Sequence, residues 1–375
     1  MRLVIVVDQR YLRAPDGSVW TRMPPDYRFF AQHLEVFEEV RVVARVADAE
    51  CTGRALRADG PGVRFAAVPC YAGPAQFLRS AAHVAGAIAG AVRGGDALLL
   101  RAPSHLANLV AALHSRTRFS VEVLGDPWDL YAPGAVRTAL RPAYRRYFSA
   151  MLRAQCARAR HSAFVSKALR KRYPSNDAWT LLDLELEAAA FGAPRDLRPH
   201  GPFSIVAVGG YDHPVKGHDV LIRSMARLGE GYSLTIVGGG RLRGELDSLA
   251  RRLGVAVHWA GELPGAESVR RILASADLFA LASRSEGKPR ALIEAMALGV
   301  PAVATRVGGI PELLSDSQLV PPDDPEAIAA AIRATFENRA RYAELSELGI
   351  DRAREFEAAP QRARRRAFLE AVAHA

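Results

Sequence analysis

With 375 residues, 49% of them hydrophobic and 24% charged, the chain is long enough for two domains with separate cores and is neither disordered nor fibrous. Its net charge of +10 leaves three kinds of partner open: nucleic acid, an anionic membrane surface, or phosphorylated small substrates. The three cysteines, Cys51, Cys70 and Cys156, have neither metal-ligand nor disulfide-framework spacing, which excludes a disulfide scaffold and points to a reducing cytoplasm.

Asp8 cuts the N-terminal apolar run Leu3–Val7 short of a signal-peptide core, and Ala81–Val92, bounded by Arg79 and Arg93, is too short to span a bilayer. A cytoplasmic protein is expected, peripheral at most at the inner face of a membrane. Strands are predicted at Leu3–Val7, Val40–Val46, Val63–Val68, Ala97–Leu100, Phe119–Leu124 and Ala163–Val165, with helices at Asp26–Phe37, Gln76–Val92 and Ala139–Ala159 between them. This alternation predicts a parallel sheet with crossover helices. In RAPSH, Ser104 reads as a helix cap. In GDPWD, Asp126 and Trp128 sit where a strand ends, and an aromatic ring beside a carboxylate suits a sugar as well as it suits a packed Trp with a capping Asp.

Between Asp129 and Asp177 there is no acidic residue, while Arg137, Arg141, Arg145, Arg146, Arg153, Arg158, Arg160, Lys167, Arg170, Lys171 and Arg172 accumulate. The basic segment 137–172 is either a solvated face or a patch that meets anionic lipid or a polyanionic acceptor. It lacks the interleaved aromatics and glycines of a nucleic-acid module, so no nucleic-acid partner is expected.

The composition breaks at Pro194–Pro202, and the rhythm restarts with strands at Phe203–Val208, Leu234–Val237, Val255–Trp259, Leu278–Leu281, Pro301–Ala304 and Gln318–Val320. The expected fold is α/β, two Rossmann-like doubly wound domains facing each other across a cleft: residues 1–198 binding acceptor, 199–356 binding donor, and a basic helical segment, 357–375, packing back on the first domain. Ligands of such sheets bind outside the carboxyl ends of the strands.

Three loops of the second half carry chemistry. After the first strand, Gly209 and Gly210 precede Lys216, a point charge for phosphate oxygens. After the second, glycines around Gly239 let backbone approach a flat ligand. After Leu278–Leu281, SRSEGKP leads into a helix that Pro289 is suited to open, so the free N–H groups of Arg290, Ala291 and Leu292 form a place for an anion. Glu294, one turn inside among apolar residues, needs a donor pair. The vicinal hydroxyls of a ribose supply one, and an ion pair to a neighbouring arginine is the alternative.

The segment SRSEGKPRALIEAMALGVPAVAT, with Glu286 and Glu294 separated by seven residues, resembles the signature of retaining glycosyltransferase family 4, of GT-B fold. VGGYDHPVKG, IVGGGRLRGEL, HWAGELP, VGGIPELL and LVPPDDPEAI extend the resemblance across the second domain. It implies metal-independent, cofactor-free transfer of a sugar from a nucleotide diphosphate sugar, a UDP-sugar above all, with retention at the anomeric carbon. Glu294 would hold the ribose, Glu286 the sugar hydroxyls, Lys216 the diphosphate, and backbone near Glu262 and Leu263 the base; Gly287 lies in the same loop. Where the family carries an arginine, Gly210 stands, with Lys288 or Arg290 as substitute. Asp126 is a further catalytic candidate. On the acceptor side Asp16, Gly17 and Ser18 of APDGSVW replace a Gly-Gly turn, and Trp128 joins them. A sugar, a lipid-linked glycan or a small-molecule aglycone are the expected acceptors; a nucleotide-sugar epimerase or a non-catalytic binder of sugar nucleotides or polyanions are the alternatives.

Overall fold

The structure, a computed structural model, describes residues 1–49, 55–199, 201–263 and 265–374, so Cys51 lies outside the described residues. The strands are β1 (Arg2–Arg13), β2 (Val19–Thr21), β3 (Glu39–Asp48), β4 (Leu56–Arg57), β5 (Val63–Pro69), β6 (Ala97–Ala102), β7 (Ser120–Val123), β8 (Ser162–Phe164), β9 (Ala178–Thr180), β10 (Phe203–Val208), β11 (Tyr232–Val237), β12 (Val257–Gly261), β13 (Leu278–Leu281), β14 (Ala302–Thr305) and β15 (Leu319–Val320). The helices are α1 (Tyr27–Ala31), α2 (Gly73–Ala91), α3 (His105–Leu113), α4 (Pro127–Leu130), α5 (Arg141–Arg158), α6 (Lys167–Arg172), α7 (His218–Leu228), α8 (Arg243–Arg252), α9 (Gly265–Ser275), α10 (Arg290–Ala297), α11 (Pro325–Glu337), α12 (Arg339–Ala353) and α13 (Ala358–Ala373).

Two sheets form, as alternating apolar strands and crossover helices require. In the first, β1 lies between β3 and β6, with β5 outside β3 and β7, β8 and β9 outside β6, all parallel. The second is six-stranded and parallel, in the order β12-β11-β10-β13-β14-β15. In each the strand order reverses beside the first strand, so a crevice opens at the carboxyl ends of β1 and β6, and another at those of β10 and β13.

Two local features depart from expectation. β1 does not stop at Val7: its register slips between Val6 and Arg10, and it runs on to pair antiparallel with β2. The segment Asp26–Phe37 is not one helix. Asp26 caps α1, and the chain then tightens into a 3-10 turn, Gln32–Glu35, which buries His33.

The last helix returns to the first sheet. Phe368, Leu369 and Val372 pack in one cluster with Leu3, Ile5 and Leu99, and the buried Arg365 pairs with Asp183 at 2.6 Å. Asp183 also engages Arg101, which stands 3.0 Å from Glu122. Burial pushes the Glu122 carboxyl up; at Asp183 the two guanidinium groups outweigh burial and hold the carboxyl low.

Candidate active site

The loop after β10 is anchored before it presents any charge. Gly217 adopts φ +63°, and a Cβ there would stand 1.9 Å from the Ala282 carbonyl, so only glycine lets this loop lie against the end of β13. Arg284, 10% exposed, locks the same loop, donating to Asp219 at 2.9 and 2.8 Å, to Asp323 at 2.7 Å and to the Pro214 carbonyl. Burial opposes the charge on Asp219, but the Arg284 fork overrides it and keeps the carboxyl below its usual range. Burial holds His218 neutral, its pKa lowered to about 4, with Nε2 donating to the Gly209 carbonyl at 3.1 Å.

This clamp delivers Lys216 to Glu286. Lys216 Nζ donates to Glu286 Oε1 at 2.6 Å, and the buried Ser283 hydroxyl donates to the same oxygen at 2.7 Å. The lysine stem crosses Gly209, where a Cβ would meet it at 3.1 Å, and Gly210 beside it is exposed. Gly239 lies against a side chain instead of leaving open backbone: a Cβ there would stand 2.5 Å from Glu262 Oε1. Leu263, half-buried, follows β12 at the same edge.

Glu294 answers the question its sequence raised. No side chain caps the start of α10, and Pro289 takes the N-cap position rather than the first helical one. Arg290 is exposed, Ala291 half-buried and Leu292 in the core, so the first turn offers backbone N–H groups. Glu294 is half-buried, and among the described residues its carboxylate has neither a hydrogen bond nor an ion pair. Burial raises its pKa, against the weaker pull of Arg290 and Arg270. The alternative of a carboxylate pinned by an arginine is not what the fold contains.

Other candidates have different tasks. Lys288, expected near the diphosphate, pairs with Glu312 at 3.0 Å and lies over the Phe356 ring at 5.4 Å. Glu312 also accepts from the Ala168 amide at 2.8 Å, so this pair ties the second domain to the start of α6. Gly287 is a second tie, since a Cβ there would stand 2.3 Å from the Leu124 carbonyl of the first domain. Gly287→Ala is therefore expected to force the domains apart, costing about 1–3 kcal/mol; a lowered melting temperature together with lost turnover is the measurement.

Asp126 is not free for catalysis. It caps α4 through the Trp128 amide at 2.8 Å, accepts from the Tyr173 hydroxyl at 2.6 Å and pairs with Arg172. With both oxygens engaged it organises the loop instead. Asp126→Asn is expected to lose about 1–3 kcal/mol of stability with little change in turnover per folded molecule, read from paired melting and rate measurements. Trp128 is 44% exposed rather than packed, its ring covered by the Arg145 guanidinium at 3.8 Å.

Asp16, Gly17 and Ser18 form the turn between β1 and β2. Ser18 donates its amide to Asp16 at 3.0 Å, and Gly17 lines a pocket with Arg57, Asp59 and Arg64 on the same domain. The polar groups at the carboxyl edge of the first sheet are others, which the sequence reading missed. Asp8 sits where β1 slips register, 3.0 Å from Arg45 Nη2, and Tyr71 Oη lies 2.9 Å from His105 Nδ1. Burial pushes Asp8 up in spite of Arg45. The overlooked signal was position, since Asp8 ends a strand core and His105 opens α3. Ser283, Asp219 and Arg284 were missed too, although all three flank the residues singled out.

Comparison with known proteins places this geometry. Residues 202–338 match the model of glycosyl transferases group 1. Protein CapJ of Staphylococcus aureus is 23% identical over 309 residues, 80% of this chain and 77% of that one. The D-inositol 3-phosphate glycosyltransferase of Segniliparus rotundus is 34% identical over 165 residues, 40% of this chain and 36% of that one. Among solved structures, sucrose-phosphate synthase of Thermosynechococcus elongatus superposes with a TM-score of 0.73 at 18% identity, covering 98% of each chain. HepE of Anabaena, solved in complex with UDP and glucose, gives 0.69 at 16% identity, also over 98% of each. The chain has the GT-B fold of these structures, and its residues 202–338 are of the glycosyl transferases group 1 type.

Proposed function

We propose that the protein transfers a sugar from a nucleotide diphosphate sugar, a UDP-sugar first, to an acceptor hydroxyl with retention at the anomeric carbon and without a metal, in the building of a polysaccharide, glycolipid or natural product. The observation that carries this reading is Glu294, a half-buried carboxylate without a protein partner one turn inside an uncapped helix start. A ribose diol donates to that carboxylate, while the diphosphate of the same nucleotide meets the α10 N–H groups and Lys216. The UDP and glucose bound by HepE support the choice of base.

Glu286, held by Lys216 and Ser283, faces the sugar hydroxyls. As the bond from the anomeric carbon to the diphosphate breaks, negative charge grows on the leaving oxygen, and Lys216 with the helix N–H groups stabilises it. The acceptor oxygen bonds to that carbon on the face just vacated, and its proton passes to the leaving phosphate. On the first domain Asp8, Tyr71 and His105, rather than Asp16 to Ser18, are the groups for the acceptor. The test is a panel of nucleotide sugars scored by melting shift, then transfer assays with the stabilising donor. A flat response across the panel rejects the reading, and product from donor alone would make the protein an epimerase.

A further inference from the structure

The outer face of α5 is unusual for a helix facing water. Leu140 at its N-cap, and then Ala143, Tyr147, Ala150 and Ala154, follow one another at alternating steps of three and four residues, and all are exposed. Leu140 is 53% and Tyr147 45% exposed. The opposite face is already committed to the core through Leu152, Gln155 and Cys156. Arg146 and Arg153 stand exposed along one border of the outer stripe, and neither has an ion-pair partner among the described residues.

We propose that this face seats the first domain on an anionic lipid surface, with Leu140 and Tyr147 in the headgroup layer and Arg146 and Arg153 against lipid phosphates. A nucleic acid would match the arginines but leave the apolar stripe in water. A second copy of the chain would cover the stripe but bring arginine against arginine, and no carboxylate between Asp129 and Asp177 could answer them. Membrane seating uses both halves of the surface. It rests on the transferase reading in one respect: it makes the acceptor a lipid-borne one.

Co-sedimentation of the full chain with vesicles of phosphatidylcholine, alone or mixed with phosphatidylglycerol, tests this. Wild type is expected to pellet with the mixed vesicles only. R146E/R153E is expected to lose at least about tenfold in apparent affinity. Leu140→Ser/Tyr147→Ser is expected to bind weakly and to be released completely by high salt, where wild type is partly retained. Binding that needs no anionic lipid, or that both double variants keep in full, overturns the proposal. So does a concentration-dependent dimer that Tyr147→Ser dissolves, which would make the stripe a self-interface. The melting shift with a nucleotide-sugar donor, read on the same variants, reports whether they fold. If vesicle binding fails while that shift persists, the membrane inference falls and the transferase reading stands.

Discussion

Lys216→Ala is expected to lower turnover about 10²- to 10³-fold, the usual cost of deleting one preorganised group that meets developing negative charge. The lysine is not a flexible surface residue: its loop is fastened to β13 through Gly217 and by the Arg284 clamp, and its ammonium sits 2.6 Å from Glu286. Little reorganisation is therefore needed as the diphosphate departs. The substitution also strips Glu286 of one donor while Ser283 keeps its hydrogen bond at 2.7 Å, so the fold should survive with a loss of about 1–3 kcal/mol. Initial rates at saturating donor, beside a melting curve, separate the two effects. A variant turning over within about threefold of wild type would falsify the role given to Lys216.

Glu294→Gln is expected to weaken nucleotide binding about 10- to 100-fold, since hydrogen bonds to a charged acceptor are worth roughly 1.5–3 kcal/mol. The free protein should respond in the opposite direction. Burial raises the Glu294 pKa above its unfolded value, so the stability this group contributes is present below the ordinary glutamate range and is lost as pH rises through the folded pKa. At neutral pH the wild type therefore carries a charged, unpartnered carboxylate that the glutamine variant does not. The variant should melt higher than wild type at pH 7, and the gap should close as the pH falls toward the pKa of free glutamate. Titration calorimetry with UDP and melting curves across pH measure both signs. Equal affinity for UDP in the two proteins would remove the ribose from Glu294.

The second domain was largely legible in the sequence because its strands are short apolar runs punctuated by glycine turns, and because Lys216 and Glu286 lie in the loops that follow recognisable strands. What escaped depends on partners far apart in the chain. Nothing near Lys288 announces Glu312, and nothing near Asp126 announces Arg172 and Tyr173, yet those partners decide that neither residue is free to serve a ligand. The β1–β2 hairpin was missed for a local reason: Gln9 to Arg13 is too polar to read as strand, and it is held by pairing with Trp20 and Val19. Glu294 falls between the two cases. Its need for a donor is visible in the sequence, but only the fold reveals that Arg270 and Arg290 do not meet it.

The return of α13 to the first sheet has a consequence for biosynthesis. Leu3 and Ile5 leave the ribosome long before the side chains that complete their packing, Phe368, Leu369 and Val372. The N-terminal lobe must therefore wait, incompletely covered, while the C-terminal one is made, and an expressed fragment ending near residue 198 would expose that gap permanently. The outgoing and returning strands of the chain also lie side by side, joined where the Leu186 amide meets the Phe356 carbonyl at 2.9 Å and the Ala358 amide meets the Leu186 carbonyl at 2.9 Å. The lobes are therefore joined by a double seam rather than by a single tether.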